Sequence, residues 1–335
     1  MTCGALAFTV ASLAILATPS GAKPPAPRTA DVRMVSLGRD RSIAVSCDGA
    51  GRYTVILEPG DGGRRSHMGD FSALLSRDYR VCVYDRRNVG ESSSAPVPRG
   101  PADLTDDLFG ALRQMREPGP FILFGTSMGG LLVRLHAATH QVAGYVTSNQ
   151  PGTPSEWIAS AYPTMSGAER ALDQAWMAGA NNEHIDVNAV GAVIDAAGPP
   201  SVPHVILIST ERFQCPAAGT CAKAYEAFLK MSKRLGESGN HGAFRVLDGD
   251  HDLYVTHAGD LADAINAVAA LADRRTRLRA RLLTDDCRQR VLTPPRPIAV
   301  VGDQDGHLQI LEVIPWLASY PQISWSRPGL RPANS

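Results

Sequence analysis

The segment Phe121-Ile-Leu-Phe-Gly125-Thr126-Ser127-Met128-Gly129-Gly130 constrains this chain more than any other. Its apolar start reads as a buried strand, and residues 128–140 carry a helical pattern. A serine with glycines two residues to either side therefore sits where a strand turns sharply into a helix. Such a turn lifts the Ser127 hydroxyl above the sheet edge, and Gly125 and Gly129 leave room for backbones to approach. The N-terminus of the following helix favours negative charge developing there.

The surrounding chain repeats this rhythm. Met34–Leu37, Ser42–Cys47, Tyr53–Leu57, Arg80–Tyr84, Val142–Ser148, His204–Ser209 and Phe244–Leu247 read as further strands. Phe71–Ser76, Asp103–Arg116 and Asp260–Leu271 read as helices, the second opening on aspartates as the helix dipole prefers. Buried strands alternating with helices imply a mainly parallel sheet. The rhythm breaks at about 151–200, a helical, loop-rich stretch carrying Trp157, Tyr162, Met165, Trp176 and Met177, which reads as a cap.

Composition narrows the function. The 335 residues hold 33 Lys+Arg against 33 Asp+Glu, with 44% hydrophobic residues. That is too apolar and too balanced for a disordered chain, and it lacks the basic excess of a nucleic-acid binder. No repeat of 20–50 residues is visible, so a solenoid is excluded. Residues 5–17 are apolar and uncharged, and Ser20-Gly21-Ala22 offers small residues for cleavage, so 1–22 reads as a secretory signal peptide. It is short for a membrane span, and no stable membrane insertion is expected after its removal. Residues 23–31 are a Pro-rich linker. Residues 273–335, opening on Arg274, Arg275, Arg277, Arg279 and Arg281, form a C-terminal extension of unassigned role, which reads as a basic surface helix and a Pro-rich tail or as a membrane- or partner-binding tail.

Three more motifs accompany the serine. They are Glu58-Pro59-Gly60-Asp61-Gly62-Gly63 after the third strand, Asp85-Arg86-Arg87-Asn88-Val89-Gly90-Glu91-Ser92 after the fourth, and Asp248-Gly249-Asp250-His251 after the last. Together with the nucleophile turn, this ordered set resembles the α/β-hydrolase family over residues 32–272. The resemblance implies an α/β fold with a mostly parallel eight-stranded sheet, flanking helices and a small helical cap. It implies a serine hydrolase, with a carboxylic ester as the leading substrate class.

The resemblance also assigns roles. Ser127 is the nucleophile, and His251 is the general base, with His257 and His241 as rivals nearby. Chain order puts the acid between them, and Glu211, after the strand His204–Ser209, takes that place. The other family position for the acid falls on Ser148-Asn149-Gln150, which carries no carboxylate. Asp250 and Asp252 stand too close to His251 in the chain to orient it, though they can tune it. The oxyanion hole takes the N–H groups of Met128 and Asp61. The Asp61 carboxylate departs from the family pattern and must point away from the oxyanion. Asn88 stands where the family has glycine, and asparagine tolerates the left-handed backbone. His67, Trp157, Tyr162 and Trp176 are the candidate substrate-binding residues. His136 and His140, on the helix after Ser127, are expected to face neighbours or solvent.

An exported chain permits disulfides. Cys47 and Cys82 lie on neighbouring strands in this fold, and Cys215 and Cys221 bracket a short loop, so both pairs are expected to bridge. No metal signature, phosphate loop or dinucleotide fingerprint is present, so no cofactor is expected. A small-molecule ester is the expected partner, and the oligomeric state stays open. Amide or peptide hydrolysis, lactonase and perhydrolase chemistry share the same machinery. An aminopeptidase would need cap acids for the substrate amine, and Glu156, Glu169, Asp173 and Glu183 are available. A non-catalytic binding protein on the same fold is the rival from another class.

Overall fold

The computed structural model describes residues 31–150, 152–210, 218–239, 241–292, 300–302 and 308–310. The expected signal peptide, linker, Glu211 and Cys215 lie outside the described residues, as do the side chains of Cys221 and Cys287. The chain divides into two compact units between Arg275 and Thr276.

The first unit is built on an eight-stranded sheet of order β1-β2-β4-β3-β5-β6-β7-β8. Its strands are β1 (Arg33–Ser36), β2 (Ser42–Asp48), β3 (Thr54–Glu58), β4 (Arg80–Tyr84), β5 (Phe121–Thr126), β6 (Gly144–Ser148), β7 (His204–Ser209) and β8 (Gly242–Leu247). The β1–β2 and β2–β4 pairs are antiparallel, and β3 through β8 run parallel to one another. This is the sheet the strand pattern implied.

The helices are α1 (Gly69–Leu75), α2 (Pro101–Met115), α3 (Met128–Thr139), α4 (Pro154–Ser160), α5 (Gly167–Met177), α6 (Val187–Ala197), α7 (Ala218–Gly236), α8 (Leu253–Thr256) and α9 (Ala258–Leu292). Alternate residues of the central strands feed opposite faces, as a pleated strand requires. Val55, Leu57, Ile122 and Phe124 pack with Phe71 of α1 and Ile265 and Val268 of α9. Ile56, Leu123, Tyr145 and Ile206 pack on the other face with Leu108 and Leu112 of α2 and Val133 of α3. Both faces being covered, strands β3, β6 and β7 are buried along their whole length.

Helices α4 to α6 fill the stretch between β6 and β7, where the sequence breaks its rhythm. Their apolar residues Tyr162, Met177, Val187, Val190 and Ile194 cluster with Leu131, Leu132 and Leu135 of α3. Capping defines the start of each. Thr153 and Glu156 form a capping box for α4, Ser166 and Glu169 one for α5, and Asp186 accepts from the Ala189 N–H of α6 at 2.9 Å.

The helix expected over Asp260–Leu271 and the basic helix expected after it form one element, α9, which continues to Leu292. The arginine run continues the helix because residues 272–292 hold no glycine or proline, and Arg, Leu and Ala are strong helix formers. In the second unit, Val300–Gly302 and Leu308–Ile310 pair antiparallel. Among the described residues, no helix is long and apolar enough to cross a membrane.

The Cys47–Cys82 bridge is formed. The two residues are direct partners in the β2–β4 register, with Cα atoms 4.1 Å apart.

Candidate active site

Ser127 caps the start of α3 with φ 52° and ψ −126°, a conformation that costs a non-glycine residue about 1–3 kcal/mol. Tertiary contacts hold it there. Its N–H donates to the Ser148 carbonyl of β6 at 2.9 Å, and its own carbonyl accepts from Gly130 N at 2.9 Å. The flanking glycines are required by close approach. A Cβ on Gly125 would collide with the Gly129 backbone, and one on Gly129 with the carbonyls of Glu58 and Pro59. Gly129 thus lets α3 sit against the end of β3, where the loop facing the serine begins.

That loop approaches closely: a Cβ on Gly60 would lie 3.3 Å from Ser127 Cβ. The next residue, Asp61, turns its carboxylate away, with Oδ2 accepting from Asn182 N at 3.2 Å and Asn182 Nδ2 at 3.1 Å. Burial holds the Asp61 carboxyl above its usual range, opposed by the Asn182 N–H and the Trp176 indole beside it. Met128, the other expected oxyanion donor, is the first residue of α3 and fully buried.

The loop is fastened by Arg86, from the turn after β4. Its guanidinium donates to the carbonyls of Pro59 at 2.8 Å and Gly60 at 2.6 Å, and to Glu58 Oε1 at 2.7 Å. On its other side it forms a two-point pair with Glu183, Nε to Oε2 at 2.7 Å and Nη2 to Oε1. Glu183 in turn accepts from Gly62 N at 2.8 Å. Tyr84 donates to Glu58 Oε2 at 2.6 Å, and His136 Nε2 lies 3.6 Å from the same oxygen. Burial alone would raise the Glu58 carboxyl, yet His136, Arg86 and Tyr84 together hold it below its ordinary value. These buried charges survive because each is paired and hydrogen-bonded. His136 is therefore a buried neighbour of Glu58, while His140 stacks on Phe109 with centroids 3.7 Å apart.

Sequence reasoning missed Arg86 and Glu183. A signal existed: Glu58 ends a wholly apolar strand, and an acid so placed needs a partner. The left-handed turn that follows Arg86 matches expectation, with Asn88 at φ 71° and its side chain accepting from Ala95 N at 2.7 Å.

His251 lies between β8 and α8. Its carbonyl accepts from Asn149 Nδ2 at 2.8 Å. The Asn149 Oδ1 accepts from Ser209 N at 2.8 Å, so one amide joins the ends of β6 and β7 to the histidine loop. Asn149 thus occupies the family's alternative acid position but holds the backbone of His251. The His251 Nδ1 lies 3.0 Å from Asp252 Oδ1, with both side chains about half exposed. The adjacent residue that chain proximity disfavoured is within hydrogen-bond reach of the imidazole.

Ser127 and His251 open on one cavity of about 400 Å³, walled by Trp157, Met165, Trp176, Met177 and Phe228, among others. Of the candidate substrate-binding residues, Trp157 and Trp176 line this cavity. His67 sits exposed on a short 3-10 turn (Arg65–Met68), its Nδ1 accepting from Arg64 N, and does not line it. The polar face of that turn points to solvent while Met68 fills the core. Tyr162 is likewise buried behind the wall, in the α3–α6 cluster. Burial and the neighbouring Asp173 carboxylate push its hydroxyl up to about 12.

A family model described as the alpha/beta hydrolase fold matches residues 53–180. A curated but uncharacterized protein of Schizosaccharomyces pombe is 37% identical over 82 residues, 24% of this chain and 15% of that one. The chain thus spans about a sixth of the length of the curated relative it matches. Among solved structures, a probable hydrolytic enzyme of Pseudomonas aeruginosa PAO1 has TM-score 0.50 at 17% identity, covering 72% of this chain and 94% of that one. A thermophilic esterase of Thermogutta terrifontis has TM-score 0.49 at 17% identity, covering 72% and 99%. The strand order and the family-model match over residues 53–180 together show that this chain has the α/β-hydrolase fold.

Proposed function

We propose that this protein is a serine hydrolase that cleaves a carboxylic ester. The observation that carries the reading is Ser127, held at a strained turn and sharing one apolar cavity with His251. Ser127 Oγ attacks the ester carbonyl carbon while His251 takes its proton. The tetrahedral oxyanion rests on the N–H groups of Met128 and Asp61. The alcohol leaves with the proton from His251, and water, deprotonated by His251, then releases the acid. Glu211 orients the imidazole. The Cys47–Cys82 bridge supports an oxidising compartment, so a secreted or periplasmic location belongs to the same reading.

The test is turnover of p-nitrophenyl esters of increasing acyl length, with fluorophosphonate labelling. Ser127→Ala should lose several orders of magnitude in rate and all labelling. Glu211→Gln should fall steeply and Asp252→Asn little; the reverse order would move the acid to Asp252. A folded wild-type protein that neither turns over esters nor labels would be a ligand-binding module.

A further inference from the structure

Four acids of the helical stretch between β6 and β7 are candidates for a substrate cation, and three are committed elsewhere. Glu156 closes the capping box of α4 and Glu169 that of α5. Glu183 is the buried partner of Arg86. The fourth, Asp173 on α5, lines the cavity that holds Ser127 and His251. It is half-buried, and among the described residues no arginine or lysine pairs with it.

The rest of that wall is aromatic and apolar, and no arginine or lysine is among its described lining residues. Trp157 Nε1 donates to Asp173 Oδ2 at 2.9 Å, and the Trp176 indole stands beside the Asp61 carboxylate. An indole whose N–H leans on a carboxylate has a more electron-rich ring, which strengthens its attraction for a cation. Inside a low-dielectric cleft, a carboxylate without a cation focuses negative potential on whatever enters. An anionic group would meet repulsion there, and a neutral one would leave the charge uncompensated.

We infer that the cavity takes an ester bearing an alkylammonium group, with Asp173 as its counter-ion and Trp157 and Trp176 as its aromatic wall. This rests on the serine-hydrolase reading above and adds the substrate's charge to it. The ammonium belongs to the acyl or the alcohol half of the ester, and matched substrates distinguish the two.

The experiment compares charged esters with their carbon isosteres on the full chain. Choline butyrate against 3,3-dimethylbutyl butyrate places the charge in the alcohol. The p-nitrophenyl esters of 5-(trimethylammonio)pentanoate and 6,6-dimethylheptanoate place it in the acyl chain. One pair should show kcat/KM at least about tenfold higher for the cation. Asp173→Asn, which keeps an oxygen for Trp157, should bring that ratio near one. Equal or faster turnover of the neutral member in both wild-type pairs overturns the inference and leaves the hydrolase reading standing. No turnover of any ester by folded, unlabelled protein overturns both. The wild-type ratio decides the matter even where the variant does not fold.

Discussion

Arg86 and Glu183 stand 97 residues apart in the chain and meet as a two-point ion pair inside the molecule, both essentially without exposure. One side of Arg86 carries the carbonyls of the loop facing Ser127. The other carries the helical stretch that walls the cavity. The pair therefore ties the loop facing Ser127 to the helical stretch that walls the cavity.

Arg86→Met should be strongly destabilising, by about 3–5 kcal/mol, because it strands Glu58 and Glu183 as buried charges. Denaturant titration measures this. Arg86→Lys should recover part of the stability but less of the activity, since an ammonium cannot span both carbonyls and both acids. A loss below about 1 kcal/mol in Arg86→Met would show that the network contributes little.

Gly129→Ala should separate fold from site. The added methyl meets the Glu58 and Pro59 carbonyls, so α3 or the loop must shift. Fluorophosphonate labelling should fall at least a hundredfold, and any residual fold should melt several degrees lower. Full labelling at wild-type stability would contradict the close approach described here.

Asn149→Ala removes the amide that ties the His251 carbonyl to Ser209. It should lower kcat more than it raises KM, with a stability loss of about 1–3 kcal/mol for the groups left unpaired. Asn149→Asp should not rescue activity. The side chain addresses the His251 carbonyl, and a carboxylate there has no proton to donate.

Reducing the Cys47–Cys82 bridge opens a loop defined by a 35-residue separation. Loop entropy places the loss at up to about 4 kcal/mol. The Cys47→Ser, Cys82→Ser double variant should unfold at lower denaturant, with wild-type kcat where it remains folded.

Asp173 gives a pH signature. Burial holds its carboxyl above the ordinary value, opposed by the Tyr162 hydroxyl and the Trp157 indole. A raised folded pKa favours folding at low pH, and that contribution is lost as pH rises through it. Asp173→Asn should therefore match or exceed wild-type stability at neutral pH, and the gap should close on acidification. Preference for cationic esters should fade on acidification as the wild-type side chain protonates. A preference that holds unchanged below pH 4 would place its origin elsewhere.

Much of this molecule was legible in its sequence because the responsible interactions are local. Strand periodicity fixes which face each residue feeds, so the order from Val55 to Leu247 could be read as a parallel sheet with Ser127 at a strand-to-helix turn. The asparagine at 88 reports local backbone geometry, while the glycines at 125 and 129 mark close approaches that the nucleophile turn already implies. Helix α9 joins the amphipathic segment to the arginine-rich one because no glycine or proline stands between them.

Tertiary structure decided what each buried charge is for. Arg86, Glu58, Glu183 and Asp173 look alike in composition, as surface charges do in most chains. The partners of the first three lie tens of residues away, and pairing in a low-dielectric interior depends on which side chains the fold brings within a few ångströms. The same holds for Asn149, which reads as a failed acid in sequence and is a brace for the histidine loop in space. Local patterns set the turn that presents Ser127, while the long-range pairing of charges set the cavity it faces.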